Sequence, residues 1–137
     1  MPPSFDRRSL LRAAAQWSSA GAPQAIVEQA LRLTNDYMVV EHGASMMFVT
    51  LFYGVLDPTT GALAYINAGH NPPLLVRANG NDVESLRATD IPLGIYADQQ
   101  YDAQHVVLER GDLLLAFTDG VTEALDTSDE AFGDERL

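Results

Sequence analysis

Two short segments concentrate the residue types that can do chemistry. The first is Thr118-Asp119-Gly120, which follows the apolar run Leu113-Leu114-Leu115-Ala116-Phe117. That run reads as a central buried strand delivering a carboxylate at its end. An unpaired buried charge is costly, so such a carboxylate needs a cation or hydrogen-bond donors. Gly120 lets the backbone turn sharply and lets an ion or ligand come close. Two compatible readings of Asp119 stay open here: a metal-ligating carboxylate, or an N-cap for a helix running on from Val121. The second segment is Asn67-Ala68-Gly69-His70-Asn71-Pro72-Pro73, a polar island between two apolar strands. His70 has the chemistry of a general acid or a metal ligand. The plainer reading is a specified turn, with Asn side chains bonding backbone and the proline pair fixing the exit.

Other ionisable groups carry less. His42 and His105 have no second histidine at i+2 or i+4 and read as incidental. Asp57, Asp90 and Asp112 read as turn residues. Asp126, Asp129, Glu130, Asp134 and Glu135 form an acidic tail whose default is a solvated surface. Neither a Walker-type phosphate loop nor a Gly-x-Ser-x-Gly elbow occurs.

The elements that must position these residues change in texture along the chain. Residues 6–19 have Leu10, Leu11, Ala14 and Trp17 near helical spacing, with Trp17 read as core, and Gly21 reads as a stop. Pro23 stands where the first turn of a second helix begins. Ile26, Val27, Ala30, Leu31 and Thr34 make its stripe, with Glu28 and Arg32 outside at i,i+4. Residues 46–56 are almost continuously apolar, which reads as a strand covered on both faces. Asp57-Pro58-Thr59-Thr60-Gly61 turns the chain into the hairpin partner Leu63-Ala64-Tyr65-Ile66. Residues 74–77, 83–86 and 104–108 are further strands, the first two joined by Asn79-Gly80-Asn81-Asp82. Helices followed by antiparallel strands and a helix start read as α+β, with two stacked sheets and helices outside.

Composition narrows the function classes. The chain has 137 residues, 47% apolar and 20% charged, which suits one folded domain. Eight Lys plus Arg against 19 Asp plus Glu give a net charge of −11. That excludes nucleic acid as the main partner and an anionic membrane as a docking surface. There are no cysteines, so disulfides, thiolate zinc sites and a cysteine nucleophile are excluded. No apolar run approaches the roughly 18 residues needed to cross a bilayer. The chain reads as cytoplasmic.

Six segments in order resemble one family. They are residues 47–54, residues 67–73, Pro92-Leu93-Gly94-Ile95, Arg110-Gly111-Asp112, residues 118–124 and Phe132-Gly133-Asp134-Glu135-Arg136-Leu137. The chain is similar to the bacterial PP2C-like serine/threonine phosphatases of the SpoIIE and RsbU type, from about residue 8 to the end. The resemblance implies a partial PP2C-like α/β/β/α sandwich with antiparallel sheets, forming a single partial domain over residues 1–137. It implies a site for two Mn²⁺ or Mg²⁺ ions, where a metal-bridging water attacks phosphoserine or phosphothreonine in line. Asp119 matches the family's metal-binding Asp. Gly120, His70 and Asn71 are site-adjacent, and His70 takes no role from the family.

The sequence also departs from the family. The family's first metal motif, Gly-Asp-Val-x-Gly-His/Lys-Gly, has no counterpart before Arg7, and its final metal Asp lies beyond the segment that ends here at Leu137. The expectation is therefore the central portion of a phosphoprotein phosphatase, incomplete at both ends and inactive alone. The implied substrate of a complete relative is a phosphorylated STAS-type anti-sigma factor antagonist in sigma-factor or stress signalling. The alternative is a degenerate, non-catalytic module that binds a signalling partner. A homodimer pairing exposed sheet edges is a further expectation.

Overall fold

The structure is a computed structural model and describes residues 23–137. The helix expected over residues 6–19, with Trp17 and the stop at Gly21, lies outside the described residues. Helix α1 spans Pro23–His42, with proline in the first turn, where its missing N–H costs nothing. Val27, Leu31, Asn35 and Met38 are its buried line, spaced four, four and three residues apart. Thr34 is not on that line; it is exposed, and its hydroxyl donates to the Ala30 carbonyl at 2.8 Å. Glu28 is not paired with Arg32 either. It accepts from the Gln24 amide (2.8 Å) and the Ala103 backbone N–H (3.2 Å), while Arg32 pairs with Asp36 at 3.5 Å.

Among the described residues six strands form two antiparallel sheets. The first has the order β1–β2–β5, from Leu51–Leu56, Ala62–Ala68 and Gln104–Val107. The second has the order β4–β3–β6, from Val83–Ser85, Leu74–Val76 and Leu113–Leu115. The β1–β2 hairpin forms as its turn chemistry dictates. Asp57 accepts from the Thr59 N–H (2.8 Å) and the Thr60 hydroxyl (2.9 Å), and its own N–H bonds the Ala62 carbonyl at 2.8 Å. Asn79 likewise caps the β3–β4 turn by accepting from the N–H groups of Asn81 (3.0 Å) and Asp82 (3.3 Å).

The core has two parts, one on each face of β2. On one face Val27, Leu31 and Met38 of α1 meet Ala64, Ile66 and Ala68, with Leu51, Tyr53 and Val55 at the margin. On the other, Leu63 and Tyr65 pack with Leu86, Phe52, Val106 and Leu114, which joins the first sheet to the second. Phe52 stacks on Tyr65 with ring centroids 5.3 Å apart. The layers among the described residues are therefore helix, sheet, sheet.

Three strand and helix expectations change. The strand expected from residue 46 begins at Leu51, because Met46 adopts a left-handed conformation (φ 48°) and only Val49 pairs, in a bridge to Leu93. Met46, Met47, Phe48 and Val49 are exposed, so the double covering expected for residues 46–56 is absent over that stretch. Among the described residues the run from Leu113 stands at a sheet edge and not in a central position: β6 pairs there only with β3, and Leu113 is 58% exposed. The helix after it, α2 (Asp119–Thr122), is a single turn.

Two polar clusters hold the loops to this frame. Buried Asn35 donates to the Tyr96 carbonyl (2.9 Å) and accepts from the Gly94 N–H (2.9 Å) and the Tyr101 hydroxyl (3.2 Å). Burial, then the charges of Asp90 and Asp36, pushes the Tyr101 hydroxyl up to about 12, so it stays a donor at neutral pH. Asp112 accepts from the backbone N–H groups of Glu109 and Ala78 (2.9 Å each) and from Arg77 at 2.8 Å. Arg77 also donates to the Val107 carbonyl at 2.8 Å, which ties the β5–β6 connection to the end of β3.

Asn35→Ala removes three hydrogen bonds and strands the polar groups they satisfied. Urea denaturation should show a loss of about 1–3 kcal/mol. The Asp112 carboxyl is held below its ordinary value of 3.8, first by the Glu109 N–H, then by Arg77 and the Ala78 N–H. Its contribution is present above 3.8 and is lost as pH falls through the lower folded value. Asp112→Asn should therefore flatten the acid limb of the stability–pH curve between 3.8 and that lower value, read by denaturant titration at each pH.

Candidate functional site

Antiparallel pairing sends the two singular segments to one place. Leu74 stands opposite Leu115, so the chain entering β3 (residues 70–73) and the chain leaving β6 (residues 116–119) share one end of the second sheet. Leu51 stands opposite Ala68, so Thr50 and Gly69 share one end of the first sheet. The loop from Ala68 to Leu74 bridges the two ends. Thr50, His70 and Asn71 on one side and Asp119 and Gly120 on the other therefore belong to a single rim.

Asp119 follows an extended Thr118 (φ −113°, ψ 165°), which takes the N-cap position without a side-chain capping bond. The capping reading of Asp119 is thus corrected: Asp119 is the first residue of the turn, one place inside the cap. Its carbonyl accepts from the Glu123 N–H (2.8 Å) and the Thr122 hydroxyl (3.2 Å). Its carboxylate is exposed and makes no hydrogen bond among the described residues. Exposure, not burial, describes this carboxylate among the described residues. The following chain folds back on the turn through Phe132 N–H to Ala124 O and Gly133 N–H to Thr122 O, both 2.8 Å. Part of the acidic tail is structural. Asp126 accepts from the N–H groups of Ser128 (2.7 Å) and Glu130 (3.0 Å), and its carboxyl is lowered by the Glu130 contact first, then by Ser128.

The segment before β3 is a tightly specified turn. Asn67 is fully buried; its amide donates to the Leu86 carbonyl (2.9 Å) and its oxygen accepts from the His70 N–H (2.8 Å). Gly69 has φ +70°, and a Cβ there would lie 2.7 Å from Pro92 Cγ. Pro73 is buried, and its carbonyl accepts from the Leu86 N–H at 2.9 Å. The backbone of His70 is thereby held, and its ring Nδ1 lies 3.4 Å from the Thr50 hydroxyl. Asp90 is more than a turn residue. Its N–H and that of Thr89 bond the Asn67 carbonyl, at 3.3 and 3.2 Å. Burial raises its carboxyl above the ordinary value.

The other two histidines lie on α1 and β5. His42 meets the Tyr37 ring edge-on and His105 Nε2 contacts Gln24 at 3.2 Å. Asn35, Tyr101 and Thr50 have structural work that sequence reasoning did not assign, and Asp112 is the turn residue it was read as. An Asn four residues after Leu31 in an otherwise apolar line was the available signal for the first of them. Among the described residues no group of three or more His, Cys, Asp or Glu side chains could hold a metal ion. Asp119 is one carboxylate, and one carboxylate does not make a divalent-cation cage.

Comparison with known proteins places this rim in context. The profile of the family described as Stage II sporulation protein E (SpoIIE) matches residues 6–137. Protein IcfG of Synechocystis is 40% identical over 119 residues, 85% of this chain and 19% of that protein. Phosphoserine phosphatase RsbU of Bacillus subtilis is 33% identical over 102 residues, 74% of this chain and 30% of that protein. The chain thus spans less than a third of either relative. The crystal structure of the RsbU and RsbW domains of Rv1364c from Mycobacterium tuberculosis superposes with a TM-score of 0.63 at 32% identity. That match covers 90% of this chain and 33% of the solved one.

Gly69→Ala must place a methyl group against Pro92 in a left-handed conformation. Roughly 1–2 kcal/mol of backbone strain is expected before the clash is counted. Thermal denaturation should show the loss, and amide shifts at His70 should move with it.

Proposed function

The chain belongs to the SpoIIE family of PP2C-like phosphatase domains, and from that premise we propose that it is the central portion of a phosphoserine/phosphothreonine protein phosphatase. The observation that carries this reading is the placement of Asp119. The carboxylate that matches the family's metal-binding Asp stands at the rim where both sheets end. Asp119 supplies one ligand to a Mn²⁺ or Mg²⁺ site, and the remaining ligands come from outside the described residues. The bound ions would supply the activated water and neutralise charge on the phosphoryl oxygens. This chain's own share is positional: the second sheet carries Asp119 to the rim, and the turn at Gly120 leaves the approach open. The substrate is a phosphoprotein of the STAS-type anti-sigma antagonist class, as family membership implies, within sigma-factor signalling. No helix among the described residues is long and apolar enough to cross a membrane.

With one carboxylate, the isolated chain should bind Mn²⁺ weakly, with Kd on the order of 10⁻³ M or weaker. Paramagnetic broadening of amides should centre on residues 118–121 and vanish in Asp119→Asn. A phosphoserine-peptide assay of the chain should show no turnover. Broadening spread elsewhere would remove Asp119 from the site and favour a non-catalytic module that binds a signalling partner. Robust turnover abolished by Asp119→Asn would instead show that the chain completes the site by itself.

A further inference from the structure

His70 has a backbone held by buried neighbours and a ring with one nitrogen engaged. Four features converge on it. Asn67, fully buried, bonds its backbone N–H at 2.8 Å. Gly69, at φ +70° against Pro92, sets the direction in which the chain arrives. Buried Pro73, bonded to Leu86, sets the direction in which it leaves. Thr50, from the neighbouring sheet end, places its hydroxyl 3.4 Å from ring Nδ1. Ring Nε2 makes no hydrogen bond among the described residues. A half-buried imidazole with one nitrogen engaged and the other available is set up to meet a ligand. Such residues sit on loops that a rigid scaffold holds in place.

Strand register puts His70 on the same rim as Asp119. We propose that His70 is a substrate-contact residue whose Nε2–H donates to a phosphoryl oxygen, and that Thr50 is the positioning residue that fixes its ring. If the Thr50 hydroxyl donates to Nδ1, the proton resides on Nε2, and the outer nitrogen is a hydrogen-bond donor. Cation ligation would require the opposite tautomer and partner carboxylates. The described residues gather no group of three metal-binding side chains around it. The inference rests on the phosphatase reading and names a residue that reading leaves without a role.

The test uses this chain and O-phosphoserine as the probe, read by long-range ¹H–¹⁵N spectra of the histidine rings. The ring shifts should first report the Nε2–H tautomer for His70. Phosphoserine should then move the His70 ring saturably, serine should not, and His42 and His105 should stay in place. Thr50→Val should lower the apparent affinity roughly fivefold, the size of one lost hydrogen bond, and Thr50→Ser should restore it. Should Thr50→Val fail to fold, His70→Gln serves instead, and phosphoserine should then no longer move the Gly69 and Asn71 amides. A His70 ring that ignores phosphoserine overturns the proposal, as do three histidines moving in parallel, the mark of unspecific anion binding. Mn²⁺ broadening at Asp119 is read separately. If it persists while His70 is silent, this inference fails alone; if both are silent, the phosphatase reading fails too.

Discussion

Strand β2 has protein on both faces, and both halves of the core depend on that. Of its seven residues only Ala62 is exposed. One face receives helix α1 and the other receives the second sheet, while β1 and β5 complete its hydrogen bonding on either side. A polar side chain in such a strand must be fully satisfied or it destabilises the fold. Asn67 is that side chain, and it meets the demand by bonding Leu86 on one side and the His70 backbone on the other. The packing of the core and the shape of the rim loop are therefore set by the same residue. The loop cannot relax without leaving a buried amide unpaired.

The same logic ties the remaining connections down. Asn35 does for the loop after Leu93 what Asn67 does for the loop before β3: a buried amide on a regular element bonds the backbone of an irregular one. Asp112 and Arg77 do it with charge, and there the carboxylate is 2% exposed while the guanidinium is 29% exposed. Three short-range devices thus hold three loops, which leaves the sheets to provide register and the cores to provide most of the burial energy.

The acidic character of the chain has a limited structural meaning. Several carboxylates are engaged in turns: Asp57 after β1, Asp112 before β6 and Asp126 beyond α2 each accept backbone N–H bonds. Each sits below its ordinary value for that reason. Asp119 differs in that its carboxylate has no such bond among the described residues, which leaves it available to a ligand.

Local chemistry was legible in the sequence wherever a turn or a period carries its own cause. The Asp57–Gly61 turn, the Asn79–Asp82 turn, the six strands and the helix begun by Pro23 all follow from φ preferences, side-chain acceptors and apolar spacing. The specified turn around Asn67 did too. Burial was less legible. The apolar run of β6 reads as central, yet among the described residues it lies at a sheet edge, because strand order is decided by which partners a strand finds and not by its own hydropathy. Residues 46–50 read as strand for the same reason and are not. Asp119 reads as a metal-ligating carboxylate or a cap; Thr118 takes the cap position, and the Asp119 carboxylate is exposed and not buried. Only the tertiary structure could bring Thr50, His70 and Asp119 to one rim. They are 20 and 49 residues apart in the chain, and what joins them is antiparallel register, a property of paired strands that no single segment contains.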